Sequence, residues 1–93
     1  MLIRSQDKLQ LINLENGTTA VDYRNKKNIL FYDIGSVEPT STIGEYSSEE
    51  KVIKVLDMIQ DNYAKLDCVH HGVYIHGDCV SVFQMPQDEE VEV

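Results

Sequence analysis

The chain has 93 residues, 42% of them apolar, with 8 basic against 16 acidic side chains and a net charge of −8. That size fits one domain that buries somewhat over ~60% of its unfolded surface, so the core is thin and a metal staple would help it. The acidity weighs against direct binding of DNA or RNA, whose phosphates call for Lys and Arg, and suits a basic partner surface.

The N-terminus, Met1-Leu2-Ile3-Arg4-Ser5-Gln6-Asp7, has no positive patch followed by an apolar run, so no secretory signal is expected. The apolar stretches fall short of the ~20 residues of a membrane helix, and no membrane role is expected. A reducing, intracellular setting follows, in which paired cysteines read as metal ligands before they read as a disulfide.

Residues 1–46 read as strands. Leu9–Leu14 ends at Glu15-Asn16-Gly17, where Asn-Gly is a strong turn signal, and Thr18–Tyr23 follows with β-branched and aromatic residues. Arg24–Asn28 is a polar turn, Asn28–Ile34 a third strand, 35–40 a loop with Pro39, and Ser41–Tyr46 a short fourth strand. Short polar connections between such runs favour antiparallel pairing.

Residues 47–66 read as one helix. Ser47 and Glu50 have the spacing of a capping box, with Ser47 as the N-cap. Val52, Leu56, Ile59 and Tyr63 form an apolar stripe that Ile53 and Val55 widen, so the helix covers the core. Glu50–Lys54 and Asp61–Lys65 have favourable i,i+4 order.

Residues 67–84 hold Cys68-Val69-His70-His71-Gly72-Val73-Tyr74-Ile75-His76-Gly77-Asp78-Cys79, which contains both cysteines and all 3 histidines of the chain. Gly72–Ile75 and Cys79–Phe83 are strand-like around a Gly77-Asp78 turn, so a hairpin is expected with His76 and Cys79 at its tip. Cys68, His71, His76 and Cys79 supply two thiolates and two imidazoles, a donor set that suits tetrahedral zinc. His70 competes with His71, and the spacing does not choose between them. Surface histidines without a shared ion, buried thiols or a disulfide across the hairpin are the plainer alternatives. Four protein ligands leave no open position for a reacting water, so the zinc is expected to be structural and the protein not an enzyme. Residues 85–93 read as an acidic tail. The fold expected is α+β, a single domain over 1–93 with a mainly antiparallel sheet of four to six strands on one helix and a zinc-pinned C-terminal hairpin.

"IRSQDK", "GEYSSEEKVIKVLDMIQDNY" and "VFQMPQDEEV" resemble stretches of a group of short proteins carried by phages and mobile elements of Gram-positive bacteria. With its acidity and its Cys/His cluster, the chain resembles a zinc-binding anti-CRISPR protein of the type II-A class. The resemblance implies a non-enzymatic inhibitor in the bacterial cytoplasm that binds the RNA-guided Cas nuclease of a type II system. Such a nuclease loads target DNA into a positively charged channel. An acidic protein seated there blocks loading by occupancy and by repelling phosphates. The candidate contact carboxylates are then Glu45, Glu49, Glu50, Asp57, Asp61, Asp88, Glu89, Glu90 and Glu92. Two rival readings are a small zinc-dependent nuclease or hydrolase with His70 or Asp78 as general base, and a zinc-knuckle nucleic-acid binder. The second would need a basic face, and Arg24, Lys26 and Lys27 are the chain's one basic concentration. Oligomeric state is left open by the sequence.

Overall fold

The computed structural model of the chain describes residues 1–67 and 82–93. The elements run β1 (Leu2–Arg4), β2 (Leu11–Asn13), a 3-10 turn (Leu14–Asn16), β3 (Gly17–Val21), β4 (Asn28–Asp33), β5 (Ser41–Glu45), α1 (Glu49–Asp67), β6 (Val82–Gln84) and a second 3-10 turn (Asp88–Glu90). This is a small α+β fold with one helix among the described residues, as the patterning led us to expect. The hairpin expected over 67–84 and the residues proposed to pin it lie largely outside the described residues.

Among the described residues the strands divide into two three-stranded sheets, ordered β2-β1-β6 and β3-β4-β5, rather than one continuous sheet. Four of the pairings are β1–β2, β3–β4 and β4–β5, which are antiparallel, and β1–β6, which is parallel and sets Ile3 opposite Phe83. The division has a local cause. Asn16-Gly17 does not close a hairpin: Leu14–Asn16 coils into a 3-10 turn capped by the Asn13 side chain, whose oxygen accepts from Glu15 N at 3.1 Å. The chain thereby leaves the first sheet at Asn13 and enters the second at Gly17. Gly17 is needed there for close approach. A Cβ at this position would strike the Tyr32 carbonyl oxygen and come within 2.7 Å of Phe31 Cζ.

The β3–β4 hairpin follows the expected positions, with Val21 opposite Ile29 and a turn held by side chains. Asp22 accepts from Arg24 N at 2.9 Å, and Asn25 accepts from Lys27 N at 3.2 Å. β4 is the central strand of its sheet, and Ile29, Leu30 and Phe31 are all buried. A bulge between Ile29 and Leu30 bends the β4–β5 pair.

Helix α1 starts one residue later than the capping-box reading. Ser48, not Ser47, is the cap, and its hydroxyl accepts from Lys51 N at 3.3 Å. With Lys51 at the third helical position the reciprocal carboxylate of a capping box is missing. Val52, Val55 and Ile59 are buried, and Leu56 and Met58 pack against the same cluster. Ile53 and Tyr63 are exposed instead. Ile53 lies about 100° round the helix from Val52, outside the arc that α1 turns to the core. The buried helix residues meet Met1, Ile3, Ile29, Phe31, Ile43, Tyr46, Phe83, Met85 and Val91, so one core joins both sheets and the helix.

Residues 85–93 are not a free tail. Met85 and Val91 are buried, and the segment folds into a turn with a capping box between Gln87 and Glu90.

Candidate functional site: an acidic surface around the helix start

The three sequence stretches that carry the resemblance meet in one place. Gln6, just past β1, donates from Nε2 to the Glu45 carbonyl (2.9 Å) and to the Pro86 carbonyl (3.3 Å), while its Oε1 accepts from Glu45 N at 2.8 Å. Gln87 Nε2 donates to the Gln6 carbonyl at 2.8 Å, and Gln84 Nε2 donates to the Ser5 carbonyl at 3.1 Å. The Tyr46 hydroxyl donates to the Pro86 carbonyl at 2.9 Å. Burial raises the Tyr46 phenol well above the ordinary tyrosine range, and the Asp88 and Glu90 carboxylates add to the shift. The junction therefore keeps a protonated hydroxyl as donor.

The charged part of this junction is at Asp88. Its carboxylate accepts from Ser47 N at 2.7 Å, directly before the helix, and lies 3.4 Å from Lys51 Nζ. Lys51 also donates to the Asp88 carbonyl at 2.8 Å. The Ser47 hydrogen bond holds the Asp88 carboxyl below its usual range, with the Lys51 charge helping. A negative group beside the first turn of a helix is also favoured by the helix dipole.

These contacts sort the candidate carboxylates. Asp88 and Glu90 serve the fold: Glu90 Oε1 accepts from Gln87 N at 2.8 Å. Glu45, Glu49, Glu50, Asp57, Asp61, Glu89 and Glu92 are exposed. Docking of the Asp88–Glu90 turn sets the C-terminal acidic run beside Ser47 and Lys51, near Glu45, Glu49 and Glu50. Further along, Glu90–Val93 line a groove with Lys54 and Met58. Asp57 and Asp61 continue the acidic stripe from Glu50 at i+7 and i+11 on the solvent side of α1. Among the described residues the ion pairs within 4 Å are Lys51–Asp88 and the N-terminal amine with Glu15. The i,i+4 partners Glu50–Lys54 and Asp61–Lys65 are not among them.

The proposed metal ligands Cys68, His71, His76 and Cys79, the alternative ligand His70, and Asp78 lie outside the described residues. Among the described residues no group of three or more His, Cys, Asp or Glu side chains is placed to hold a metal ion. Nor, among them, is any helix long and apolar enough to cross a membrane.

Gln6, Tyr46, Gln84 and Gln87 were not marked by charge or periodicity. One signal was available: Gln87-Asp88-Glu89-Glu90 has the three-residue spacing of a Gln/Glu capping box, which argues for a folded turn rather than a tail. Comparison with protein families, with characterised proteins and with solved structures gives no match for this chain.

Proposed function

We propose that this chain is a non-enzymatic protein that binds a basic surface of another protein. Following the resemblance, we take the partner to be the RNA-guided nuclease of a type II CRISPR system, whose loading of target DNA the chain blocks. The observation that supports this reading is the docking of Asp88 against Ser47 and Lys51. It joins two acidic stretches far apart in sequence into one exposed surface, with Glu49 and Glu50 on one side and Glu89 and Glu92 on the other. Such a surface is complementary to a channel built to receive phosphates, and it repels the phosphates themselves. Structural zinc held by Cys68, His71, His76 and Cys79, or by His70 in place of His71, belongs to the same proposal. Its part is to fix the segment between α1 and β6, not to react.

The experiment is a gel shift with purified type II nuclease loaded with guide RNA and a labelled target duplex. Excess protein is expected to abolish the nuclease–DNA complex without cutting either strand, and added salt is expected to weaken the inhibition. Undiminished DNA binding at excess inhibitor rejects the proposal. So does charge reversal at Glu49, Glu50 and Asp57 together that leaves inhibition unchanged.

A further inference from the structure

Among the described residues strand β2 lies at the edge of its sheet, and the side turned away from β1 faces an open cleft. Ser5 N donates to the Gln10 carbonyl at 3.0 Å and Leu14 N donates to the Met1 carbonyl at 3.0 Å, so Gln10 and Leu14 turn their main-chain groups toward β1. Ile12, opposite Ile3, has the same phase. Antiparallel pairing alternates, so Leu11 and Asn13 present their N–H and C=O groups to the other side. The Asn13 carbonyl opens the Leu14–Asn16 turn as its N-cap, while among the described residues the Leu11 N–H and C=O and the Asn13 N–H enter none of the main-chain bonds made outside strands and helices.

The cleft they face has a volume of about 500 Å³ and reaches across to Phe31, Asp33, Thr40 and Ser41 on β4 and the start of β5. That volume is in the range of ligand clefts, about 300–1,000 Å³. Further along β5 the corresponding edge is already occupied, because Gln6 N donates to the Ile43 carbonyl at 2.9 Å and the Gln6 side chain covers Glu45. The gap between the two sheets is thus closed at Gln6 and open between β2 and Thr40–Ser41. Exposed aliphatic residues flank this opening in the sequence: Leu9 (84% exposed) and Leu11 (59%) on one side, Ile34 (76%) and Val37 (90%) on the other. Among the described residues Asp33 is the one charged residue that lines it.

We propose that this cleft is a strand slot, which takes an extended segment of the partner protein as an added strand on β2. The N–H and C=O of Leu11 and the N–H of Asn13 bond the segment whatever its sequence, as in other cases of strand addition. Apolar side chains at alternate positions cover Leu9 and Leu11, and a cationic residue meets Asp33. A folded edge strand would bring its own neighbouring strand against Thr40 and Ser41, so a single extended segment is the occupant that fits. The inference deepens the protein-binding reading by naming a second point of contact, apart from the acidic surface. The two fail separately, because the test uses a peptide and no nuclease.

The probe is a capped peptide of about seven residues, alternating valine and threonine with a central lysine, titrated into the whole labelled protein and followed by amide NMR. Saturable shifts are expected at Leu11, Asn13, Phe31 and Ser41. The same peptide methylated on alternate amide nitrogens is expected to bind roughly tenfold more weakly, as is the wild-type peptide to Leu11→Pro, each change removing one or two main-chain hydrogen bonds. Leu11 N is not used in the β1 ladder, so the proline variant should keep its fold, and the methylated peptide tests the point on wild-type protein regardless. Asp33→Asn is expected to erase the preference for the lysine peptide over its norleucine counterpart. Equal binding of the methylated peptide, shifts scattered away from the cleft, or no binding at millimolar peptide each overturn the slot. A wild-type dimer that Leu11→Pro dissociates would also overturn it, since the edge would then belong to a second copy of the chain.

Discussion

The side-chain amide of Gln6 pairs with the main chain of Glu45 as the peptide of a neighbouring strand would. Its Oε1 accepts from Glu45 N at 2.8 Å, its Nε2 donates to the Glu45 carbonyl at 2.9 Å, and its own N–H donates to the Ile43 carbonyl at 2.9 Å. A side chain thereby closes the edge of β5 and ties the first sheet to the second. A glutamine suits this place because it carries a donor and an acceptor on one rigid plane.

Gln6→Ala removes those side-chain bonds and is expected to lower stability by about 2 kcal/mol, at roughly 0.5–1.5 kcal/mol per bond. Gln6→Glu sets a carboxylate against the Glu45 and Pro86 carbonyls. At neutral pH it should destabilise at least as much as alanine. Its gap to wild type should narrow below about pH 4, where the protonated carboxyl regains a donor. Denaturant melts at pH 7 and pH 3.5 check both statements, and a glutamate variant whose deficit ignores pH would mean the amide pairing is not what matters.

Asp88 and Asp7 are the two carboxyls through which acid is expected to weaken the fold. The Asp88 carboxyl is held below its ordinary value first by the Ser47 N–H, and Asp7 first by the Ser5 hydroxyl, at 2.5 Å, and then by Leu9 N. A carboxyl lowered on folding contributes stability that is whole above its unfolded value, ~3.9, and is lost as pH falls through the folded value. Stability from these two groups should therefore be level from pH 7 down to about 4 and decline below it. Asp88→Asn should be less stable than wild type at pH 7 and show a shallower decline in acid. It should also speed hydrogen exchange at Val91, because the turn that docks Val91 into the core loses the carboxylate charge that holds it to Ser47 N and Lys51 and keeps only the main-chain bond from Lys51. Parallel pH profiles for the two proteins would refute this role for Asp88.

Gly17 is the hinge between the two sheets, and it has no room for a methyl group. The Cβ of Gly17→Ala would meet the Tyr32 carbonyl and the Phe31 ring, and the carbonyl is main chain that cannot swing aside. An overpacking cost of about 1–3 kcal/mol is expected, with shifts in the amide spectrum confined to β3, β4 and the Leu14–Asn16 turn. Wild-type stability in the alanine variant would show that the hinge can move.

The strand pattern of 18–46 was legible because β3, β4 and β5 are long enough to show alternation or a fully apolar run. β1 was not, since Leu2–Arg4 spans less than two pleats and its identity as a central strand comes from Leu11–Asn13 and Val82–Gln84 on either side. The Asn-Gly signal misled for a related reason: turn propensity is local, while the choice of sheet was made by Tyr32 and Phe31 packing over Gly17. Among the candidate site residues, the exposed carboxylates of α1 could be read from helical spacing. The structural duty of Asp88 could not, because it depends on partners 41 and 37 residues away in sequence.

The proposed zinc makes a prediction that separates ligands from bystanders. Native protein is expected to carry about one zinc per chain, and Cys68→Ser and Cys79→Ser should each lose it and melt at much lower temperature. Structural zinc contributes on the order of 10 kcal/mol in small zinc-binding peptides, far above the cost of altering an ordinary buried thiol. His70→Ala and His71→Ala should differ, with one keeping full occupancy and the other not, which identifies the fourth ligand. Chelation of wild type should reproduce the cysteine variants. A protein that is metal-free as isolated, with all four variants melting like wild type, would remove zinc from the account and leave the cluster without a shared ion.

Ile53 and Ile59 test how the helix seats itself. Both fit an apolar stripe when α1 is read as a sequence, yet Ile59 is 5% exposed and Ile53 is 50% exposed. Ile59 sits in the cluster that holds Val52, Val55 and Met85, so Ile59→Ala leaves a cavity that its neighbours cannot close and should cost about 2–5 kcal/mol. Ile53→Ala removes a side chain beside the exposed acidic stripe and should stay within about 0.5 kcal/mol of wild type. Equal losses at the two positions would mean that α1 is rotated relative to the core, and Glu50, Asp57 and Asp61 would then not share an outward face. Paired melts of these two variants therefore test the orientation of the acidic surface without any partner present.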